Sequence, residues 1–209
     1  MPYQPFILKY RPRTFDDVVG QEHVSRTLRN ALSSGRLVHA YLFTGPRGTG
    51  KTTMARILAR ALNCVNGPTP DPCGVCDQCR SIIEGRSMDI IEIDAASHRG
   101  IDDIRDLRES VKYAPSESRH KLYILDECHM LTNEANNALL KTLEEPPPHA
   151  YFALLTTEVY KLLPTILSRC QRFDFRPVSV PDTMQMLRRI AEAEGLTAHA
   201  NSVRVRMRK

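Results

Sequence analysis

Gly45-Pro46-Arg47-Gly48-Thr49-Gly50-Lys51-Thr52 is the stretch of sequence that decides the fold of this chain of 209 residues. It matches the phosphate-binding loop pattern GxxxxGK[ST]. The apolar run at 40–44 predicts a buried strand before the loop, and apolar residues spaced by three and four after it predict an amphipathic helix. A strand, then the loop, then a helix is the context in which this pattern binds phosphate, so a chance glycine-rich turn is disfavoured.

The residue types of the loop suit ATP bound with Mg²⁺. Glycines let backbone N–H groups turn towards phosphate oxygens, and the N-terminus of the following helix adds positive potential. Lys51 is expected to reach the β- and γ-phosphates, and the Thr52 hydroxyl to bind Mg²⁺. The nucleotide-binding residues predicted in this segment are Gly45, Arg47, Gly48, Thr49, Gly50, Lys51, Thr52 and Thr53.

Two acids follow another apolar run, 122–125, and predict the other half of the site. Ligands of open α/β sheets bind at the carboxyl ends of strands. Asp126 is therefore expected to hold Mg²⁺, and Glu127 to position and deprotonate the attacking water. The alternative, a solvated strand end, is disfavoured by the phosphate loop. Thr157 and Arg169 are weaker candidates, because their positions alone also fit a structural threonine and a surface arginine.

Short apolar runs alternate with helical periods along most of the chain. Strands are predicted at 40–44, 89–93, 121–125, 151–155 and 171–175, with helices between them. This order predicts an α/β fold with a mostly parallel five-stranded sheet covered on both faces. Residues 1–178 are expected to form the nucleotide-binding domain, 179–197 the start of a second, helical domain, and 198–209 a basic, disordered tail.

Composition excludes several other classes of protein. The apolar fraction is 42% and the charged fraction 25%, as in soluble globular proteins. There is no apolar run of about 18 residues and no signal-peptide pattern, so we expect a cytoplasmic protein without a membrane partner. The net charge is +5, but the last six residues carry four positive charges and the rest of the chain only +1. DNA binding must therefore be argued from local residues.

Four of the six cysteines are clustered in the spacing C-x8-C-x2-C-x2-C, at Cys64, Cys73, Cys76 and Cys79. Thiols of a cytoplasmic chain stay reduced, and clustered thiols are typical of metal ligands. Four thiolates can close a tetrahedral shell around Zn²⁺, which would stabilise an insertion, residues 63–80, too rich in Pro and Gly to build its own core. An iron–sulfur cluster and free or disulfide-bonded cysteines remain alternatives.

Several segments occur in an order that resembles the gamma/tau ATPase subunits of bacterial DNA polymerase III clamp loaders, a branch of the AAA+ family. Besides the phosphate loop and the cysteine cluster they are Tyr10-Arg11-Pro12, residues 15–24, His39-Ala40-Tyr41-Leu42-Phe43, residues 92–97, residues 126–131, residues 139–147 and Ser168-Arg169-Cys170. The resemblance covers roughly residues 3–195. It implies an AAA+ P-loop ATPase fold with a zinc-binding insertion and the start of a helical lid.

The resemblance also implies roles for individual residues. Thr157 would be the sensor of the γ-phosphate, and Arg169 an arginine finger that enters the ATP site of a neighbouring subunit. Four further residues would line the adenine and ribose pocket, namely Arg11, Pro12, Val18 and Val19. Ser97, His98, Arg99 and Lys141 would contact the backbone of template DNA, which needs donors and positive charge rather than base readout.

The function implied is ATP hydrolysis within a DNA-directed DNA polymerase holoenzyme. ATP binding and hydrolysis would open the sliding clamp and load it on primed DNA, together with other clamp-loader subunits. Two features depart from the family: Cys128 replaces a small apolar residue, and residues 198–209 do not resemble the family's lid. We therefore expect a truncated or frameshifted product, or else a genuine short form, whose isolated chain is nearly inactive.

Three alternatives to this function differ in mechanism. A catalytically incompetent fragment or a non-hydrolysing assembly subunit, such as a delta-prime relative, would share the cysteine cluster and the Ser-Arg-Cys segment. Intact Lys51, Asp126 and Glu127 argue against a non-hydrolysing subunit. A helicase or another remodelling AAA+ motor would have no reason to carry either the cysteine cluster or the Ser-Arg-Cys segment.

Overall fold

A five-stranded, entirely parallel sheet forms the centre of the computed structural model. The structure describes residues 5–98 and 100–195, without the side chain of Ile7. The strands are β1 (Ala40–Thr44), β2 (Ile90–Asp94), β3 (Lys121–Asp126), β4 (Ala150–Thr156) and β5 (Gln171–Asp174). They lie in the order β2-β3-β4-β1-β5, and every neighbouring pair is parallel. The predicted sheet is confirmed, with strand ends shifted by about one residue.

Helices cover both faces of the sheet. They are α1 (Phe6–Lys9), α2 (Glu22–Ser34), α3 (Lys51–Asn63), α4 (Asp77–Ile83), α5 (Ile101–Lys112), α6 (Asn133–Glu144), α7 (Pro164–Leu167) and α8 (Val180–Ala193). Side-chain caps mark the starts of three of them: Cys76 accepts a hydrogen bond from Cys79 N before α4, Thr132 from Ala135 N before α6, and Ser179 from Asp182 N before α8.

Two apolar clusters, one on each face of the sheet, make up the core. The middle strands β1 and β4 are buried along their whole length, whereas the edge strands β2 and β5 are partly exposed. Strands covered on both faces read as continuous apolar runs, which explains why the sequence pattern located them. Because these strands are parallel, the carboxyl ends of β1, β3 and β4 lie at the same edge of the sheet.

The cysteine-rich insertion is more ordered than the sequence pattern predicts. Helix α4 begins inside the segment 63–80, and its Cys79 and Ile82 are buried. Ile82 belongs to the same apolar cluster as the inner face of α3, so the insertion is anchored to the core. The sequence did not reveal this helix, because seven residues in a Pro- and Gly-rich segment give too short a period to recognise.

Helix α8 begins at Val180, where the second domain is expected, and the tail at 198–209 lies outside the described residues. The division into domains therefore stays a prediction. Within residues 5–98 and 100–195, no helix has both the length and the apolar composition that a membrane crossing requires.

Candidate active site

Two glycines of the phosphate loop cannot be replaced by larger residues without displacing their neighbours. Gly45 has φ +146°, and a Cβ there would lie 2.4 Å from the carbonyl oxygen of Phe175. Gly50 has φ +96°, and a Cβ there would lie 2.9 Å from Cγ1 of Val18. Val18 is buried in the core, so it supports the loop from below and does not line the nucleotide pocket. Its predicted place in the adenine and ribose pocket stays a prediction.

Lys51 lies at the start of α3, is only 7% exposed, and folds back over the loop. Its Nζ donates hydrogen bonds to the carbonyl oxygens of Gly45 at 2.7 Å and Pro46 at 2.8 Å. Burial lowers the pKa of Lys51, and the carboxylates of Glu127 and Asp126 oppose this. The ammonium group is thus held in the loop, where a phosphate could take over its hydrogen bonds.

Thr52 and Asp126 come together as the sequence predicts. Thr52 Oγ1 donates a hydrogen bond of 3.0 Å to Asp126 Oδ2, which joins the start of α3 to the end of β3. The second oxygen, Asp126 Oδ1, accepts from the backbone N–H of Glu127 at 2.9 Å. A hydroxyl and a carboxylate are hard oxygen ligands of the kind that Mg²⁺ prefers, so this pair fits the predicted metal.

Glu127 follows directly and has an unusual backbone. Its φ is +47°, and no other non-glycine residue in the described part of the chain has a positive φ. Its Oε2 accepts from Thr157 Oγ1 at 2.9 Å and from Thr157 N at 3.2 Å, and its Oε1 contacts Nε of Arg47 at 3.2 Å. Burial would raise the pKa of Glu127, but these hydrogen bonds lower it overall. The carboxylate is therefore kept in the charged form that a general base needs.

His129 is a site residue that the sequence pattern did not single out. Its Nδ1 lies 3.0 Å from Thr156 Oγ1 and 3.4 Å from Glu127 Oε2, and its Nε2 lies 3.3 Å from Glu158 Oε1. The imidazole thus connects the loop after β3 with the loop after β4. A histidine three residues after a strand carries no pattern by which its burial could have been predicted.

These residues border an open pocket of about 560 Å³, within the usual range for small-molecule sites. The predicted residues that line it are Arg11, Pro12, Arg47, Gly48, Gly50, Lys51, Thr52, Thr53, Asp126 and Glu127. Met186 and Ile190 of α8 also line the pocket and were not predicted, because their spacing fits a core-facing helix equally well. Gly45 and Thr49 shape the loop without lining the pocket, and Val19 lines the adjoining cavity of about 320 Å³.

Arg169 does not line this pocket. Its Nη2 lies 2.5 Å from Glu144 Oε1, and its Nη1 donates to the carbonyl oxygen of Thr165 at 2.7 Å. The guanidinium is half-buried at the junction of α6 and α7. It therefore has no contact with the phosphate loop of its own chain.

The four clustered cysteines converge as a metal site requires. The sulfur atoms of Cys64, Cys73, Cys76 and Cys79 all lie within 4.8 Å of one another. A tetrahedral zinc with Zn–S bonds of about 2.3 Å would separate its sulfurs by about 3.8 Å, so the cluster fits Zn²⁺. Hydrogen bonds from the backbone N–H groups of Val75 and Cys76 lower the pKa of Cys73 to about 6, which favours the thiolate. The remaining cysteines are apolar neighbours of the core: Cys128 is buried, and Cys170 packs against the same cluster.

The predicted DNA-contacting residues lie apart from the pocket. Ser97 and His98 are exposed after β2, where Ser97 Oγ donates to Asp94 at 2.8 Å and His98 lies 3.1 Å from Asp103. Lys141 is exposed on α6. Arg99 lies outside the described residues.

Comparisons with known proteins point to one family. A family model described as "DNA polymerase III, delta subunit" matches residues 20–179. The DNA polymerase III subunit tau of Bacillus subtilis is 51% identical over 205 residues, which is 98% of this chain and 36% of that protein. The chain thus spans about a third of the length of this relative.

Solved structures agree on the fold. A DNA polymerase III gamma subunit-related protein from Thermotoga maritima is 26% identical with a TM-score of 0.51, covering 82% of this chain and 49% of its own. The RuvB Holliday junction branch migration motor of the same organism is 20% identical with a TM-score of 0.63, covering 89% and 55%. The chain has an AAA+ P-loop fold and belongs to the DNA polymerase III family that the matching model describes, where it is similar to the gamma/tau subunits.

Proposed function

We propose that this chain is the nucleotide-binding part of a clamp-loader ATPase subunit. ATP binding would drive opening of the sliding clamp and its loading on primed DNA, and hydrolysis would release the clamp. The observation that carries this proposal is the meeting of Lys51, the Thr52–Asp126 pair and Glu127 around one pocket. Phosphate binding, magnesium binding and water activation would each have a residue of the matching chemistry there.

Each residue of the site would have a role that follows from its charge and its position. The ammonium group of Lys51 would leave the carbonyls of the loop and neutralise the terminal phosphates of ATP. Thr52 and Asp126 would hold Mg²⁺, which bridges phosphate oxygens and offsets their charge. The carboxylate of Glu127 would take a proton from the attacking water, and Thr157 would orient that carboxylate through its two hydrogen bonds.

Arg169 would act on the ATP of a neighbouring subunit. Its contact with Glu144, outside its own pocket, supports a role in trans, because the guanidinium stays partly exposed there. Arginine fingers stabilise the charge that develops on the transferred phosphoryl group. Other clamp-loader subunits are therefore necessary partners in this proposal.

Zinc and DNA complete the proposal. Zn²⁺ bound by Cys64, Cys73, Cys76 and Cys79 would be structural, because four thiolates leave no open position for water. The exposed Ser97, His98 and Lys141, with Arg99, would contact the DNA backbone, which needs donors and positive charge rather than base readout. Residues 1–178 would act as the nucleotide-binding domain, and residues 179–197 would begin its helical lid. The protein would act in the cytoplasm.

A second candidate is a subunit that binds nucleotide but does not hydrolyse it. The contact between Glu127 and Arg47 favours this alternative, since an ion pair could hold the base away from water. The Arg47 side chain is 87% exposed, however, and an ion pair with so exposed a partner is weak.

ATP turnover with and without partner subunits separates the two candidates. Binding of a fluorescent ATP analogue is measured first, followed by phosphate release in the presence of the other clamp-loader subunits, the clamp and primed DNA. Turnover that rises with primed DNA supports the motor. Binding without turnover under all these conditions supports the non-hydrolysing subunit.

A further inference from the structure

A second cavity, of about 690 Å³, lies between the N-terminal segment, α3 and α4. It borders the nucleotide pocket at Arg11, Pro12 and Thr53, but the phosphate loop does not line it. Five arginines line this cavity, and Glu84 is the single acid in the lining: the arginines are Arg11, Arg13, Arg56, Arg60 and Arg80. We call it the arginine cavity.

The positive charge of the arginine cavity is largely uncompensated within the protein. Arg56 forms a two-point ion pair with Glu92, with both contacts at 2.6 Å, and Glu84 pairs with Arg86. In the described part of the chain, the side chains of the other four arginines form no hydrogen bond or salt bridge. Four guanidinium groups therefore face one space in which the single lining carboxylate, Glu84, is already paired with Arg86.

Arg60 is the most informative of the four. It is 3% exposed, lies on α3 and lines the cavity. Burial lowers the pKa of Arg60, and the nearby side chains of Cys79, Asp17 and Cys64 oppose this only in part. A guanidinium stays charged in proteins, so its burial without a hydrogen-bonded partner is costly. An anion in the cavity would supply that partner.

The size and geometry of the cavity define the class of anion. Its volume lies within the range of about 300–1,000 Å³ for small-molecule sites, and is too small for a nucleic acid duplex. Guanidinium groups bind phosphate through two parallel hydrogen bonds, and several of them together require a ligand with several charges close together. We propose that the arginine cavity binds a compact polyphosphate, the di- or triphosphate group of a small molecule, through Arg60 and Arg80. This site is additional to the nucleotide pocket of the proposed function.

Inorganic tripolyphosphate is the probe that tests this proposal. Its binding to the whole chain is measured by calorimetry at low salt, in a Lys51→Ala background that disables the nucleotide pocket. We expect saturable binding that weakens as the salt concentration rises. Arg60→Gln and Arg80→Gln should each weaken it at least about tenfold, because each removes hydrogen bonds to a charged group. Arg36→Gln, a change of the same type at an exposed arginine outside the cavity, should leave it unchanged.

Three results would overturn the proposal. Loss of all tripolyphosphate binding in Lys51→Ala would assign the anion to the nucleotide pocket. Unchanged affinity in Arg60→Gln, combined with a reduced zinc content, would mean that Arg60 serves the cysteine cluster. Displacement of the probe by primed DNA would assign the arginines to the DNA backbone.

A folding control keeps the test decisive. If Arg60→Gln lowers the thermal midpoint of unfolding, Arg60→Lys replaces it, since it keeps the charge but loses the two-point geometry. Arg60→Lys should then weaken tripolyphosphate binding, and an unchanged affinity would contradict the proposal. Because ATP binding at Lys51 is absent from this background, failure here leaves the proposed ATPase function unaffected.

Discussion

Glu127 combines a strained backbone conformation with a proposed role as the general base. A non-glycine residue with a left-handed backbone costs on the order of 1–3 kcal/mol, and such strain persists where neighbours hold the residue in place. Here Thr157 and the Thr52–Asp126 pair provide those contacts. The strained turn directs the Glu127 carboxylate towards Thr157 at the end of β4.

Lys51→Ala and Glu127→Gln should separate binding from chemistry. In the proposed function Lys51 would neutralise phosphate charge in the ground state, so Lys51→Ala should abolish ATP binding. Glu127 would act on water on the way to the transition state, so Glu127→Gln should keep binding and stop hydrolysis. Equilibrium binding and single-turnover hydrolysis in an assembled clamp loader test both variants. Normal hydrolysis by Glu127→Gln would refute its role as the base.

Asp89 is a buried carboxylate for which we predict a role in stability alone. It is 1% exposed and accepts hydrogen bonds of 2.8, 2.9 and 2.8 Å from the N–H groups of Ser116, Glu117 and Ser118. Burial would raise its pKa, but these bonds lower it below the ordinary value of 3.8. Asp89→Asn should therefore destabilise the fold by about 1–3 kcal/mol at neutral pH.

The pH dependence of this effect follows from the direction of the shift. The stability that Asp89 contributes is fully present above pH 3.8 and is lost as the pH falls through its lower folded pKa. The penalty of Asp89→Asn should accordingly shrink below pH 3.8. Urea unfolding at neutral and acidic pH measures it, with the exposed Asp106→Asn as the control. A penalty independent of pH would exclude the carboxylate as its source.

At the scale of elements, the strands whose apolar pattern is visible in the sequence were predicted correctly. The five strands were located within about one residue, because buried parallel strands are continuous apolar runs. Helix α4 was not recognised, and Met186 and Ile190 were not connected with the pocket. Both depend on contacts between distant segments, which local patterns do not encode.

Removal of the metal proposed for the cysteine cluster tests the insertion, residues 63–80, separately from the rest of the fold. Chelation should release about one Zn²⁺ per chain and loosen residues 63–80. The effect should reach α3 more than the sheet, because Cys64 ends α3 and α4 packs on it. Metal analysis together with hydrogen exchange follows both changes, and ATP binding should be largely retained. Protein purified under reducing conditions without bound zinc would contradict this prediction.

At the scale of the whole molecule, we propose that the site is divided between two chains. Residues of the phosphate loop, Asp126 and Glu127 line the pocket, whereas Arg169 lies with Glu144 away from it. The pocket is also open, so water weakens every charge interaction inside it. Assembly with a neighbour would supply the missing guanidinium and exclude part of this water.

The rate of ATP hydrolysis by the isolated chain is the most direct test of this division. An arginine finger accelerates related reactions by roughly 10³–10⁵. The 209-residue chain alone should therefore be monomeric, bind ATP weakly and hydrolyse it at a barely detectable rate, with or without primed DNA. Fusion to the remaining part of the Bacillus subtilis relative should restore DNA-stimulated turnover, and Arg169→Ala in that fusion should remove turnover but not binding. Rapid DNA-stimulated hydrolysis by the isolated monomer would contradict the account.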